Sequence, residues 1–284
     1  MTASATSGLL LVVPARFGST RLPGKPLREI GGVPMIARTH ANAARAGVEL
    51  AMGWPRVDVV VATDDARIMA ACNTLGINAV MTPDTVETGS DRALAAARAL
   101  DPVGALYSHI LNLQGDAPFT PPAHLKAVAD ALKTPGADAA TAYVPLSWDA
   151  LDALREHKRL APFSGTTVIL DTDGFAVWFS KTIIPAIRKE AALRQSGVAC
   201  PVLRHVGLYG YRRDVLAEFA ASPPSRYEQL EGLEQLRLLE SGRRMACVAV
   251  EPPRISLGGI DTEADIALAE RLLAQHGDPH EALR

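Results

Sequence analysis

Three short stretches hold the residues that could do chemistry. The first is PARFGSTRLPGKPL, Pro14 to Leu27, which places Arg16, Arg21 and Lys25 among Gly18, Ser19 and Gly24 directly after an apolar run, LLLVV. Guanidinium forks and an ammonium point charge suit the oxygens of a polyphosphate. Glycines let the backbone approach such a ligand closely. The stretch is not a P-loop, G-x-x-x-x-G-K-[ST]. Gly18 and Gly24 are one residue too far apart, and Pro26 stands where the metal-binding hydroxyl belongs. The other two stretches supply acids: Asp116 closes LQGD and Asp261 sits in GGID. Magnesium takes hard oxygen ligands, commonly one or two carboxylates plus phosphate oxygens, and two aspartates from distant segments fit that need. Each has a plainer reading. A basic loop is often a solvated surface, and an Asp before a helix is often a cap.

The elements that must position these residues alternate along the first half. Leu9–Val13, Val57–Thr63, Ile77–Met81, His109–Asp116 and Ala139–Leu146 read as strands. Between them Pro34–Ala46, Asp65–Leu75, Ser90–Leu100 and Pro121–Leu132 read as helices, with Gly76 as a C-terminal cap. That alternation predicts a parallel sheet with right-handed crossovers. Ligands of such sheets sit at the carboxyl ends of the strands. The basic loop, Thr63-Asp64-Asp65 and Gln114-Gly115-Asp116 all fall there. The second half predicts a hairpin over Thr166–Leu170 and Phe175–Phe179 and a strand over Arg204–Tyr211. One amphipathic helix is expected over Arg226–Ser241 with leucines at 230, 233, 236 and 239, then a strand, MACVAV. A last helix runs from Thr262 to Gln275 with Thr262 as its N-cap, followed by a loose tail. The expectation is one mixed α/β domain over 1–284 with a β-rich insertion at about 160–212.

Composition bounds the partners. The 284 residues carry a formal net charge of −2, so no global field draws the chain to nucleic acid or anionic membrane. Cys72, Cys200 and Cys247 are scattered and odd in number, which argues for reduced thiols in a cytoplasmic protein and against a disulfide framework. The first apolar run is too short for a signal h-region or a membrane span. His40, His109, His124 and His157 lack metal-ligand spacing and read as surface or packing residues. G-x-G-x-x-G is absent from the first loop, which disfavours a dinucleotide-binding protein.

PARFGSTRLPGKPL resembles the opening motif of the CMP-Kdo synthetases, the 3-deoxy-manno-octulosonate cytidylyltransferases. The likeness continues through VATDD at 61–65, TGSDR at 88–92, LQGD at 113–116, FSKTIIP at 179–185, LRHVGLYGYR at 203–212, LEQLR at 233–237 and GIDT at 259–262. The resemblance implies an α/β fold of the nucleotide-diphospho-sugar transferase type, with a Rossmann-like, mostly parallel sheet and a smaller acceptor and dimerisation insertion. It implies that CTP and a small acidic acceptor give a CMP-acid and diphosphate with Mg²⁺, in a homodimer. Arg16 and Lys25 would clamp the triphosphate, with Arg21, Ala15, Gly18 and Ser19 beside them. Arg92 and Gln114 would recognise the cytidine, and Asp116 and Asp261 would hold the metal. Lys181, His205, Tyr209, Glu234 and Gln235 would line the acceptor pocket.

The departures from the family pattern gather on the acceptor side. QGDEP has become QGDAP with Ala117, a histidine before the SGT(D/E)R motif has become Val86, FSR has become FSK at Lys181, and N-P-N-x-V-K has become APFSGTTV at 161–168. Two acceptors follow: Kdo or a close sugar acid, and a phosphonate such as phosphonoformate. A non-catalytic nucleotide-binding relic is the alternative of another class, and intact Asp116, Asp261 and basic loop weigh against it.

Overall fold

The computed structural model describes residues 8–18, 21–255 and 257–280. In chain order the elements are β1 (Leu9–Ala15), a 3₁₀ turn (Lys25–Leu27), β2 (Glu29–Ile30), β3 (Val33–Pro34), α1 (Met35–Leu50), β4 (Val57–Thr63), α2 (Ala66–Thr74), β5 (Ala79–Met81), α3 (Gly89–Leu100), β6 (His109–Asn112) and α4 (Pro122–Ala131). Then come β7 (Ala139–Pro145), α5 (Trp148–Leu160), β8 (Thr167–Leu170), β9 (Ala176–Ser180), α6 (Glu190–Gln195), β10 (Leu203–Arg212), α7 (Arg213–Ala221), α8 (Arg226–Glu231), α9 (Leu236–Glu240), β11 (Met245–Ala249) and α10 (Glu263–His276). The central sheet runs β11-β7-β10-β6-β1-β4-β5. Its strands pair in parallel except β10, which lies antiparallel between β6 and β7. Of the 160–212 stretch, β10 therefore belongs to the middle of the sheet, while the β8–β9 hairpin hangs from its first residues.

The run LLLVV is apolar throughout because β1 is covered on both faces. Leu9, Leu11 and Val13 pack into the core under α1, α2 and α4. Leu10 and Val12 point the other way, into the core under α3, α7 and α9. Such two-sided burial holds the strand ends in register, so loops leaving β1, β4 and β6 start from fixed points. A further apolar cluster joins Leu22 of the basic loop, Ile30 and Met35 to Ile266, Ala269 and Leu273 of α10.

Three expectations need correction. The helix over Arg226–Ser241 is two pieces, because Gly232 at φ 61° ends α8 in a left-handed turn. Leu230 is consequently 72% exposed while Leu233 and Leu236 are buried. The segment after α10 is not loose over its described part: Asp278 pairs with the buried Arg38, and His280 is fully buried. The strand over His109–Asp116 stops at Asn112, although the Leu113 amide still donates to the Val12 carbonyl, leaving Gln114–Asp116 as a loop. The helices α5, α6 and α7 go beyond the sequence reading. In α5 only Leu151 and Leu154 are buried, so its apolar stripe is thin.

Candidate active site

Three strand ends deliver polar loops to one edge of the sheet, as the parallel topology requires. The loop after β1 returns through Gly24, at φ 67°, into the turn that starts at Lys25. There the Lys25 ammonium donates to Asp116 Oδ2 at 2.7 Å and Asp261 Oδ1 at 3.0 Å. Arg21 reaches Asp261 Oδ2 at 3.0 Å. Burial pulls Lys25 downward, but the two carboxylates more than offset it, so its pKa stands above the ordinary lysine value. Thr262, and not Asp261, caps α10, which leaves the Asp261 carboxylate free of capping. The two acid loops are also joined through backbone, from the Ile260 amide to the Asp116 carbonyl at 2.9 Å.

Glycines make these approaches possible. A Cβ on Gly115 would lie 2.2 Å from the Pro14 carbonyl oxygen, so the Asp116 loop crosses the end of β1 at a distance that only glycine permits. A Cβ on Gly259 would stand 3.5 Å from the Asp116 carboxyl carbon.

Around this cluster lie two clefts. One, of about 600 Å³, is lined by Ala15, Arg16, Gly18, Arg21, Lys25, Arg92, Gln114, Asp116 and Asp261, the residues expected to meet the nucleotide. Ser19 lies outside the described residues. Arg16 is exposed, with a long bond from Nη1 to the Glu87 carbonyl, 3.5 Å. Arg92 is different. It is buried, and its guanidinium donates to Thr82 Oγ1, Asp64 Oδ2 and the Val86 carbonyl, so it fixes the wall of the cleft with donors already engaged.

The second cleft, of about 910 Å³, is lined by His205, Tyr209, Glu234 and Gln235, and shares Gln114 and Asp116 with the first. The break at Gly232 is what turns Glu234 and Gln235 into it. Glu234 accepts from Ser90 Oγ at 2.8 Å, and burial raises its pKa above the ordinary glutamate value despite that bond. His205 meets Thr141 Oγ1 at 2.9 Å and lies edge-on to Phe179, and burial pushes its pKa down to about 3. Tyr209 donates to Gln235 Oε1 at 3.2 Å. Gln235 Nε2 on this wall and Asn112 Oδ1 at the end of β6 are buried without a hydrogen-bond partner among the described residues.

Lys181 is not on the wall of either cleft. Its ammonium comes within 3.4 Å of where a Gly232 Cβ would stand, and its backbone amide donates to Glu231, so it sits one layer outside the wall. Ser90, Asn112 and Thr141, which orient the cleft residues, escaped the sequence reading. Each is a small polar residue whose role depends on a partner far along the chain.

Asp116 and Asp261 fit a divalent cation. They converge from separate segments on one positively charged atom, Lys25 Nζ, which marks where cationic charge is stabilised. Among the described residues no group of three or more His, Cys, Asp or Glu gathers, so further ligands would be phosphate oxygens or water, as magnesium commonly takes them. The three cysteines are free thiols, and among the described residues no helix is long and apolar enough to cross a membrane.

Known proteins resemble this chain over most of its length. A family model described as "Cytidylyltransferase" matches residues 10–245. The 3-deoxy-manno-octulosonate cytidylyltransferase of Maricaulis maris is 39% identical over 272 residues, covering 95% of this chain and 98% of its own. The enzyme of that name from Xanthomonas campestris pv. campestris strain B100 is 40% identical, covering 95% and 90%. A solved CMP:2-keto-3-deoxy-manno-octonic acid synthetase in complex with CTP superposes with a TM-score of 0.78 at 32% identity, covering 95% of this chain and 99% of that one. By these likenesses over nearly its whole length, the chain belongs to the 3-deoxy-manno-octulosonate cytidylyltransferase family.

Proposed function

We propose that this protein transfers the cytidylyl group of CTP to 3-deoxy-manno-octulosonate and releases diphosphate, with magnesium required. The observation that carries the reading is the junction of the two clefts at Gln114 and Asp116, where a nucleotide and an acceptor would meet. The charged cleft takes the triphosphate. Arg16 and Arg21 are the accessible cations there, and Lys25 stands at its floor. Asp116 and Asp261 would hold magnesium, whose charge would neutralise that developing on the phosphates. Gln114 touches both clefts and orients the base or the acceptor. The acceptor oxygen attacks the α-phosphorus, the bond from that phosphorus to the bridging oxygen breaks, and diphosphate leaves. Catalysis then rests on positioning and charge neutralisation.

The acceptor cleft offers neutral His205, Tyr209 and Gln235 together with Glu234. That array suits the hydroxyl groups of a sugar acid. The relatives named above all carry the sugar acid in their names, and the phosphonate reading finds no support among them. The proposal includes a homodimer working in the cytoplasm, by family likeness; sedimentation at working concentration tests the dimer. Diphosphate release is the direct test. It should need CTP, Kdo and Mg²⁺ together and stop with EDTA. Release with phosphonoformate but not with Kdo would overturn the acceptor, and none with either would return the chain to the relic reading.

A further inference from the structure

The segment following α10 is tied to the site through α1. The inward polar residues of α1 each hold a different neighbour. Thr39 Oγ1 shares its one proton between the Met35 carbonyl of its own helix at 3.0 Å and the Gly115 carbonyl at 3.2 Å, and Asn42 Nδ2 donates to the Pro118 carbonyl at 2.9 Å, so α1 meets the loop of Asp116 on both sides. Arg38 Nε donates to the Ile30 carbonyl at 2.9 Å, in the small hairpin that follows the Lys25 turn. The segment after α10 then engages α1 itself. Asp278 takes both guanidinium nitrogens of Arg38 at 2.7 and 2.9 Å, and Arg45 donates to the Pro279 carbonyl at 3.1 Å. His280, fully buried, lies 2.9 Å through Nε2 from Asn42 Oδ1. Because the Asn42 amide nitrogen already donates to Pro118, its oxygen must accept, and His280 therefore carries its proton on Nε2. The third site loop, with Asp261, opens α10 at its other end.

We propose that His280 is a positioning residue for the metal and triphosphate site. Through Asn42 it fixes the Asp116 loop, and with the Asp278–Arg38 pair it fastens the helix that follows Asp261 to the helix that carries the Lys25 and Asp116 loops. Three loops from distant segments thereby keep one spacing. The buried pair alone is weak evidence of stability; what it provides is a fixed geometry, because breaking it would leave an unpaired buried charge.

The test compares His280→Phe, which keeps a buried ring and removes the donor, with His280→Gln, whose amide can still donate to Asn42. Amide hydrogen exchange at Gly115, Asp116 and Ala117 is read without metal or nucleotide. The Phe variant should exchange there about five- to tenfold faster than the parent, the scale of one lost hydrogen bond, and the Gln variant should restore most of the protection. In turnover, an arm that rests on the cytidylyl-transfer reading, the Phe variant should raise the Mg²⁺ half-saturation about three- to tenfold, and leave the KM for Kdo within about twofold, on the same scale. Unchanged exchange in the Phe variant, or a Gln variant no better than Phe, would overturn the proposal. Should the Phe variant fail to fold, His280→Ala against His280→Gln reads the same contrast. If the parent shows no turnover at all, the functional reading fails while the exchange contrast still decides the role of His280.

Discussion

The two clefts are built in opposite ways. The nucleotide cleft is a gathering of charges from separate segments: Arg16, Arg21, Lys25, Asp116 and Asp261, with the two arginines exposed. The acceptor cleft is a buried network on rigid elements, with His205 and Tyr209 on β10, Ser90 on α3, and Glu234 just after the break at Gly232. One site handles a highly charged ligand by offering counter-charge, which works through intervening water and tolerates side-chain freedom. The other must tell one polyol acid from another, which calls for fixed donors and acceptors whose mispairing is costly. A change of residue should therefore act on different quantities in the two clefts.

Asp116→Asn should break the first cleft most severely. It removes one of the two carboxylates that meet at Lys25 and one of the two contacts shared by the clefts, and turnover at saturating substrates should fall about 100-fold or more. Near-normal turnover at high Mg²⁺ would remove Asp116 from the ligand set. Glu234→Gln is the matching change in the second cleft. The new amide oxygen can still accept from Ser90, so the fold should persist, while kcat/KM for the acceptor should drop roughly 10- to 30-fold and the KM for CTP stay within about twofold. An equal loss on both substrates would mean that the two clefts are not separable.

The second cleft should also show itself in stability against pH. Burial holds His205 neutral, with a pKa of about 3, against an ordinary value of 6.5. Below pH 6.5 the unfolded chain takes up a proton that the folded chain refuses. The stability this represents is intact above pH 6.5 and declines as pH falls toward 3, at up to about 1.4 kcal/mol per pH unit for the site. His205→Gln should flatten that slope in urea titrations between pH 6 and 4. An unchanged slope would mean that His205 is hydrated in the folded protein.

How much of this could be read from the sequence follows the same division. The basic loop is contiguous, so Arg16, Arg21 and Lys25 announce themselves together. Asp116 and Asp261 stand at the ends of recognisable elements, and the buried strand run of β1 placed the loop correctly. The acceptor cleft was legible through family motifs and not through residue physics. Its geometry depends on Gly232 breaking a run whose leucine spacing reads as one helix, and on β10 entering the sheet antiparallel after a long excursion. Gly115 reads as an ordinary loop glycine until the Pro14 carbonyl is seen 2.2 Å from where its Cβ would stand. His280 had no signal at all, since a lone histidine among polar residues near α10 resembles a solvated tail. What the sequence conceals in each case is a partner supplied by a distant segment.

Lys181→Arg gives the smallest expected effect and the sharpest check on where the acceptor cleft ends. The family motif has arginine at this position, and the two cations differ in geometry, since arginine presents a planar fork to a carboxylate and lysine a point charge. Were the side chain in direct contact with the acceptor, restoring arginine should improve the acceptor KM about tenfold, the scale of a charge-assisted hydrogen bond. The structure instead holds Lys181 outside the wall, beside Gly232 and near Lys158, whose pKa is pushed down by burial first and then by the like charge of Lys181. The acceptor KM should then move by less than about threefold, the range of a solvent-screened charge effect. A tenfold gain would show that the wall opens at Gly232 when the acceptor binds, and that the cleft extends to the β8–β9 hairpin.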